Sequence, residues 1–247
     1  MNELRVSFEE RCKEVDVYID FLVALETCAQ SGPPRLVGAA QSISAEQQRI
    51  LYSGVYLHLY NLVESTMTRC IEAIPSNAAQ GGAWKPADLS DTMRREWVRA
   101  VARTHAELTA ENRLEAALDL CETLVASLPV TDFALEKGGG GNWDDDAIEK
   151  FFDKRLGSQL VVTAPVRTAA KRHMKDDLGA LALVKDLRNR LAHGSISFVE
   201  CAENVTVSHL IEVRHGAVNY MKEVVDRFVS YIAGFEFLIA ARRPAPV

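Results

Sequence analysis

The chain has 247 residues, 48% of them hydrophobic, and a formal net charge of −6. That length and apolar content suffice for one substantial core, while the acidic balance excludes a general nucleic-acid coat, so any RNA binding must come from a local patch. The five cysteines (Cys12, Cys28, Cys70, Cys121 and Cys201) are widely spaced without a Cys-x-x-Cys, which excludes a disulfide framework or zinc site and suits a reducing compartment.

Met1 to Glu10 is mixed polar and shows no secretory-leader pattern. The longest apolar run, Phe228 to Ala241, is too short to span a bilayer and contains Glu236, so a cytoplasmic protein without membrane contact is expected. Nearly every segment carries helical period and no run alternates as a half-buried strand does; an all-α fold is expected. A first helix is predicted over 7–30, with Phe8, Val15, Ile19, Leu22 and Leu25 on one face. Gly32-Pro33-Pro34 stops it, because proline lacks the amide hydrogen and restricts its predecessor. A longer helix is predicted from Ser44, where Ser44-Ala45-Glu46-Gln47 is a capping box, to about Ile74. Its core face uses Leu51, Val55, Leu59, Leu62, Val63, Met67 and Ile71. Tyr52, Tyr56, Tyr60 and His58 crowd the same helix and are expected to pack rather than stack on bases.

A turn-rich stretch over 75–86 precedes two helices predicted over 89–105 and 110–128, the second with Leu114, Leu118, Cys121 and Val125 as apolar positions. Pro129 to Asn142 is a connector, and its Gly138-Gly139-Gly140-Gly141 run is expected to be flexible. No Gly-Lys-Ser/Thr follows, so the run is no phosphate loop. Asp144-Asp145-Asp146 is better explained as a helix start, where carboxylates meet the positive dipole end, than as a ligand set. No metal or cofactor is expected. A short helix over 166–174, a second over 176–193 and a long final one reaching about 240 complete the chain. The expected organisation is a single domain, 1–247, with N-terminal helices over 1–128, a glycine-rich connector over 129–143 and C-terminal helices over 144–247.

The helix predicted over 176–193 carries two signals. Ala180, Val184, Leu187 and Leu191 form a stripe for a neighbouring helix, either in the chain's own core or in a second copy. Beside the stripe runs Leu187-Arg188-Asn189-Arg190-Leu191-Ala192-His193-Gly194, with a glycine where the helix must stop. RNA brings its own nucleophile, the 2′-hydroxyl, so cleavage needs a group to move protons and a cation for the developing charge on the phosphoryl oxygens. Histidine suits the first and the forked, permanently charged guanidinium the second. Arg188, Asn189 and His193 are therefore the candidate catalytic residues, with Asn189 orienting the histidine or binding a non-bridging oxygen. Residues 165–193 hold seven Lys and Arg against three Asp, which makes Lys171, Arg172, Lys185 and Arg190 candidate RNA contacts. The alternative is a solvated face with internal ion pairs, such as Asp186 with Arg190.

These words resemble the HEPN superfamily, whose hallmark is Arg, four to six residues, then His, often with Asn directly after the Arg. Arg99 to His105 and Arg167 to His173 share the bare spacing but lack both the Asn and the glycine stop. The continuation Ser195-Ile196-Ser197-Phe198-Val199-Glu200 resembles the RiboL-PSP/MAE-like bacterial subgroup, in which RN-x-LAHG leads into Ser-Phe-x-Glu. Leu59-Tyr60-Asn61-Leu62-Val63-Glu64-Ser65 resembles that subgroup's first long helix, which makes Glu64 a possible supporting residue. The resemblance implies a helical bundle with long antiparallel helices and additional ones. It also implies a metal-independent endoribonuclease leaving a 2′,3′-cyclic phosphate and a 5′-hydroxyl. Such proteins pair as homodimers with two motifs in one cleft, and serve as toxins with an antitoxin or as antiphage-defence effectors. Some relatives instead bind nucleotides, RNA or proteins without cutting. Ser195 stands where toxins silenced by a nucleotidyltransferase carry tyrosine, so control by that modification is not expected.

Overall fold

A computed structural model describes residues 2–36, 38, 41–80, 84–103, 107–131, 133–136 and 142–245. Among them the chain forms helices and isolated bridges but no strand. Three long helices build the centre: α1 (Asn2–Gln30), α2 (Ala45–Ala79) and α9 (Val207–Ala233). Polar pairs at their margins give the directions. Tyr18 donates to the Leu51 carbonyl and Arg69 to Ser7, so α2 runs antiparallel to α1. Arg214 clasps Asp16 while Arg5 meets Asp226, so α9 is antiparallel to α1 as well. Phe8, Val15, Ile19, Leu22 and Leu25 are buried together with the predicted face of α2, apart from a half-buried Leu51. At the start of α2, Ser44 and Gln47 form the predicted reciprocal cap.

Around this centre lie α3 (Asp91–Val101), α4 (Ala110–Val125), α5 (Asp145–Phe151), α6 (Ala164–Lys171), α7 (Ala180–Ala192) and α8 (Phe198–Cys201). A π-helical turn, Phe152–Leu156, continues α5 and packs on α3. The α7 helix packs against α2, α6, α8 and α9. Its stripe of Ala180, Val184, Leu187 and Leu191 is buried in the chain's own core, so it offers no surface to a second copy. Gly216 permits this packing, since a Cβ there would lie 2.7 Å from the Ala180 methyl.

Several boundaries depart from expectation. The first helix begins at Asn2 rather than 7, because its polar turn still rests Leu4 and Phe8 on the core. The second passes through Pro75 to Ala79 instead of ending near Ile74. The hydrogen bond that proline cannot make is offset by burial of Ile74, Pro75 and Ala78 and by Asn77 donating to the Ala73 carbonyl. The third starts later than 89, with Ser90 as its cap, and ends at Val101; His105, and with it the Arg99–His105 spacing, lies outside the described residues, as does the glycine run 138–141. The motif helix begins at Ala180 rather than 176, since Asp176 and Asp177 take left-handed backbone at φ 55° and 56°. The last helix stops at Ala233, and Phe235 at φ 49° turns the chain back to bond with Ser90 and Asp88.

The largest departure concerns α4. The apolar positions read along that helix are exposed: Leu114, Leu118, Cys121 and Val125 all face outward, and Ala116 is the buried residue of that helix. Helical period predicts which residues share a face, not which face meets the protein.

Candidate functional site

The end of α7 is a full Schellman stop. The Ser195 amide donates to the Arg190 carbonyl at 3.0 Å and the Gly194 amide to the Leu191 carbonyl at 3.2 Å, with Gly194 at φ 67°. His193 is thereby the last residue before the chain reverses. Its ring is exposed and, among the described residues, makes no hydrogen bond or ion pair. Next comes the Ser-Phe-x-Glu word, which is a second capping box. Ser197 and Glu200 cap each other at 2.8 and 3.1 Å and start α8. Those bonds from Ser197 hold the Glu200 carboxyl below its ordinary range. Ser53 of α2 donates to the Phe198 carbonyl at 2.5 Å, tying the reversal behind His193 to the core. The histidine is free in its ring yet fixed in its backbone.

Arg188 is held from three sides. Its guanidinium carbon lies 4.2 Å from the centre of the Tyr60 ring, its Nη1 donates to Asn189 Oδ1 at 2.8 Å, and its Nη2 is 3.7 Å from Glu64 Oε2. Tyr60 and Glu64 are one turn apart on α2, so the word Leu59 to Ser65 builds a shelf for the arginine. The Tyr60 ring is buried, and that burial pushes its hydroxyl pKa up, against the opposing pull of Arg188. The Trp143 backbone hydrogen-bonds the same hydroxyl. The sequence alone assigns Tyr60 to packing; the signal that points to this further role is its spacing of four from Glu64 in the same word.

A second unforeseen part is the segment 142–146, which lies along α7. Asn142 Oδ1 accepts from Asn189 Nδ2 at 3.1 Å. Asp144 caps α5 through the Ala147 amide at 2.8 Å and takes the Lys185 ammonium on its other oxygen. Lys171 reaches Asp145 at 3.2 Å and Asp146 at 3.4 Å. The acidic triplet is therefore a helix start and a partner for lysines, and no group of described residues is arranged to hold a metal.

Three of the remaining basic residues are also paired. Arg190 lies 3.4 Å from Asp186 and 3.7 Å from Asp176, Arg172 lies 3.7 Å from Glu212, and Arg167 lies 3.4 Å from Glu149. Six of the seven cations in 165–193 are thus met by carboxylates, most of them from other elements, while Lys175 donates to the Cys201 carbonyl at 3.1 Å. Arg188, Asn189 and Glu64 come together beside the end of α7, with Lys185 tied to the adjoining segment. Lys171 and Arg172 belong to the end of α6, and Arg172 turns toward α9. No described helix is long and apolar enough to cross a membrane.

The model of the MAE_28990-like HEPN family matches residues 1–237. No curated protein and no solved structure matches the chain.

Proposed function

The chain belongs to the MAE_28990-like HEPN family, and from that premise we propose that it is a metal-independent endoribonuclease. One observation carries the reading: a histidine with a free ring, on a fixed helix end, closes a turn that also holds a half-buried arginine on an aromatic shelf. The arginine is restrained before substrate arrives, which lowers the entropy lost on gripping a phosphate.

In the reaction, the 2′-hydroxyl gives up its proton and its oxygen attacks the adjacent phosphorus. The bond from phosphorus to the 5′-oxygen breaks, and that oxygen takes a proton. The products are a 2′,3′-cyclic phosphate and a 5′-hydroxyl. Arg188 binds the phosphoryl oxygens as charge builds on them. Glu64, 3.7 Å from its Nη2, orients the guanidinium as it does so. His193 transfers a proton, and Asn189 keeps Arg188 and segment 142–146 in register. Two proton transfers and one histidine per chain argue for a homodimer in which two copies share the work. Its interface lies elsewhere than the buried stripe of α7. A cytoplasmic toxin or antiphage-defence effector, restrained by an antitoxin or another defence protein, is the setting this chemistry fits.

A non-catalytic RNA- or protein-binding module is the second reading, and the pairing of Arg188 with Glu64 and Asn189 favours it. Incubating the purified protein with total RNA in chelator separates the two. Fragments ending in cyclic phosphate support the enzyme; retention of intact RNA, or of a protein, without cutting supports the module.

A further inference from the structure

The proposed substrate is a polyanion, yet the surface around the motif offers it little net attraction. Six of the seven cations of 165–193 are matched by Asp144, Asp145, Asp146, Glu149, Asp176, Asp186, Glu212 and Glu64, and the seventh, Lys175, donates to the Cys201 carbonyl. In a chain of net charge −6, RNA needs a positive foothold elsewhere.

The outer face of α3 has the chemistry for one. Arg94, Arg95 and Arg99 line an open groove of about 430 Å³ with Val98 and Asp91. Their charges are only partly compensated. Arg94 spends its donors on three neutral acceptors, the carbonyls of Pro86, Ala87 and Leu89, and Asp91 stands 3.6 Å away. Arg99 meets Glu96 at 2.5 Å, but Arg155 also grips both oxygens of that buried carboxylate, at 2.9 and 3.0 Å. Arg155 also pairs with Glu136 at 3.3 Å, so Arg99 shares its carboxylate with a guanidinium that has a second one of its own. Arg95 is exposed and has no ion-pair partner among the described residues. Arg95 and Arg99 have planar forks that match phosphate oxygens two at a time, and Arg94 adds its charge.

We propose that the α3 groove of Arg94, Arg95 and Arg99 is a second binding site, taking the phosphodiester backbone of the RNA away from the cleaving motif. The site reads charge and spacing rather than bases, since among the described residues Val98 is its one apolar lining residue and no aromatic platform lines it. It rests on the reading of the protein as RNA-directed, and not on cleavage itself.

The test measures binding of a short single-stranded RNA oligonucleotide to the full chain carrying His193→Ala, so that substrate persists. Into that background go Arg95→Glu, Arg95→Gln and, as a charge-matched control, Arg49→Glu, an exposed arginine on α2 outside the groove. Arg95→Glu should weaken binding about tenfold, as expected for loss of a charged hydrogen bond. Arg95→Gln should weaken it less, and each phosphate neutralisation removed should lower the slope of log affinity against log salt by about 0.7. Arg49→Glu should bind as the background does. Equal affinity and equal slope for both Arg95 variants overturns the proposal. So does a change in molecular mass without a change in RNA binding, which would assign the groove to an acidic protein surface. If Arg95→Glu weakens binding while the native chain cuts no RNA, the groove stands and the reading of the motif fails. Cutting by the native chain with RNA binding indifferent to Arg95 has the opposite meaning.

Discussion

Tyr60 offers a way to weaken the arginine shelf without touching the motif. Its side chain does two things: the ring faces Arg188 at 4.2 Å and the hydroxyl bonds to the Trp143 backbone. Tyr60→Phe keeps the ring and leaves a buried backbone group short of its partner, which costs about 1–2 kcal/mol of stability. Tyr60→Leu removes the ring as well. Arg188 is 32% exposed, so its approach to the ring is partly desolvated and contributes about 1 kcal/mol. The remaining pair with Glu64, at 3.7 Å and 41% exposed on the acid side, contributes well under 1 kcal/mol. The ring is therefore a larger restraint than that ion pair. Losing about 1 kcal/mol of positioning slows a step that depends on it roughly fivefold. Urea unfolding measures the stability of both variants, and initial cleavage rates are then compared at a temperature where both are folded. The expectation is native-like cleavage for Tyr60→Phe and roughly fivefold slower cleavage for Tyr60→Leu. Equal rates for the two folded variants would refute the claim that the ring positions Arg188.

Gly194→Ala places a side chain at φ 67°, where no atom obstructs it but the left-handed backbone costs about 1–2 kcal/mol. It should lower the thermal midpoint by several degrees and reduce cleavage by loosening the turn under His193, as read by calorimetry and rate together. After α9, Glu236 accepts from Arg227 and Ser158, and the arginine bond holds its carboxyl below the ordinary 4.5. A depressed folded value means the stabilisation is present above that ordinary value and fades as the pH falls through the folded one. Glu236→Gln should thus be less stable than the native chain near neutrality, with the gap closing in acid; a gap constant across that range in denaturant titrations would contradict the pairing.

The helical class, the three central helices and the word at the end of α7 are legible in the sequence because each rests on local signals. Period places Phe8, Val15 and Leu22 on one face, and Ser44 with Gln47 marks a helix start that forms as expected. The parts that differ depend on tertiary context. Pro75 reads locally as a stop, yet buried neighbours carry the helix past it. Leu114, Leu118 and Val125 are periodic, but period does not say that α4 turns that face to solvent. Lys171, Arg172 and Lys185 look like a basic patch because their partners, Asp144 to Asp146 and Glu212, lie on other elements. The role of Tyr60 is hidden for the same reason. Its neighbour across the helix interface, Arg188, is 128 positions away in the sequence.

Cleavage of RNA by the His193→Ala protein, in chelator and beside the native chain, tests the central claim most directly. Removal of a proton-transfer group should slow cutting by about 10²–10⁴-fold, with the helical spectrum and the assembly state unchanged. Arg188→Ala should be disabled as well, and Arg188→Lys should recover little, because a point charge lacks the forked geometry. A folded His193→Ala protein that cuts as fast as the native chain would show that the end of α7 is not the active site.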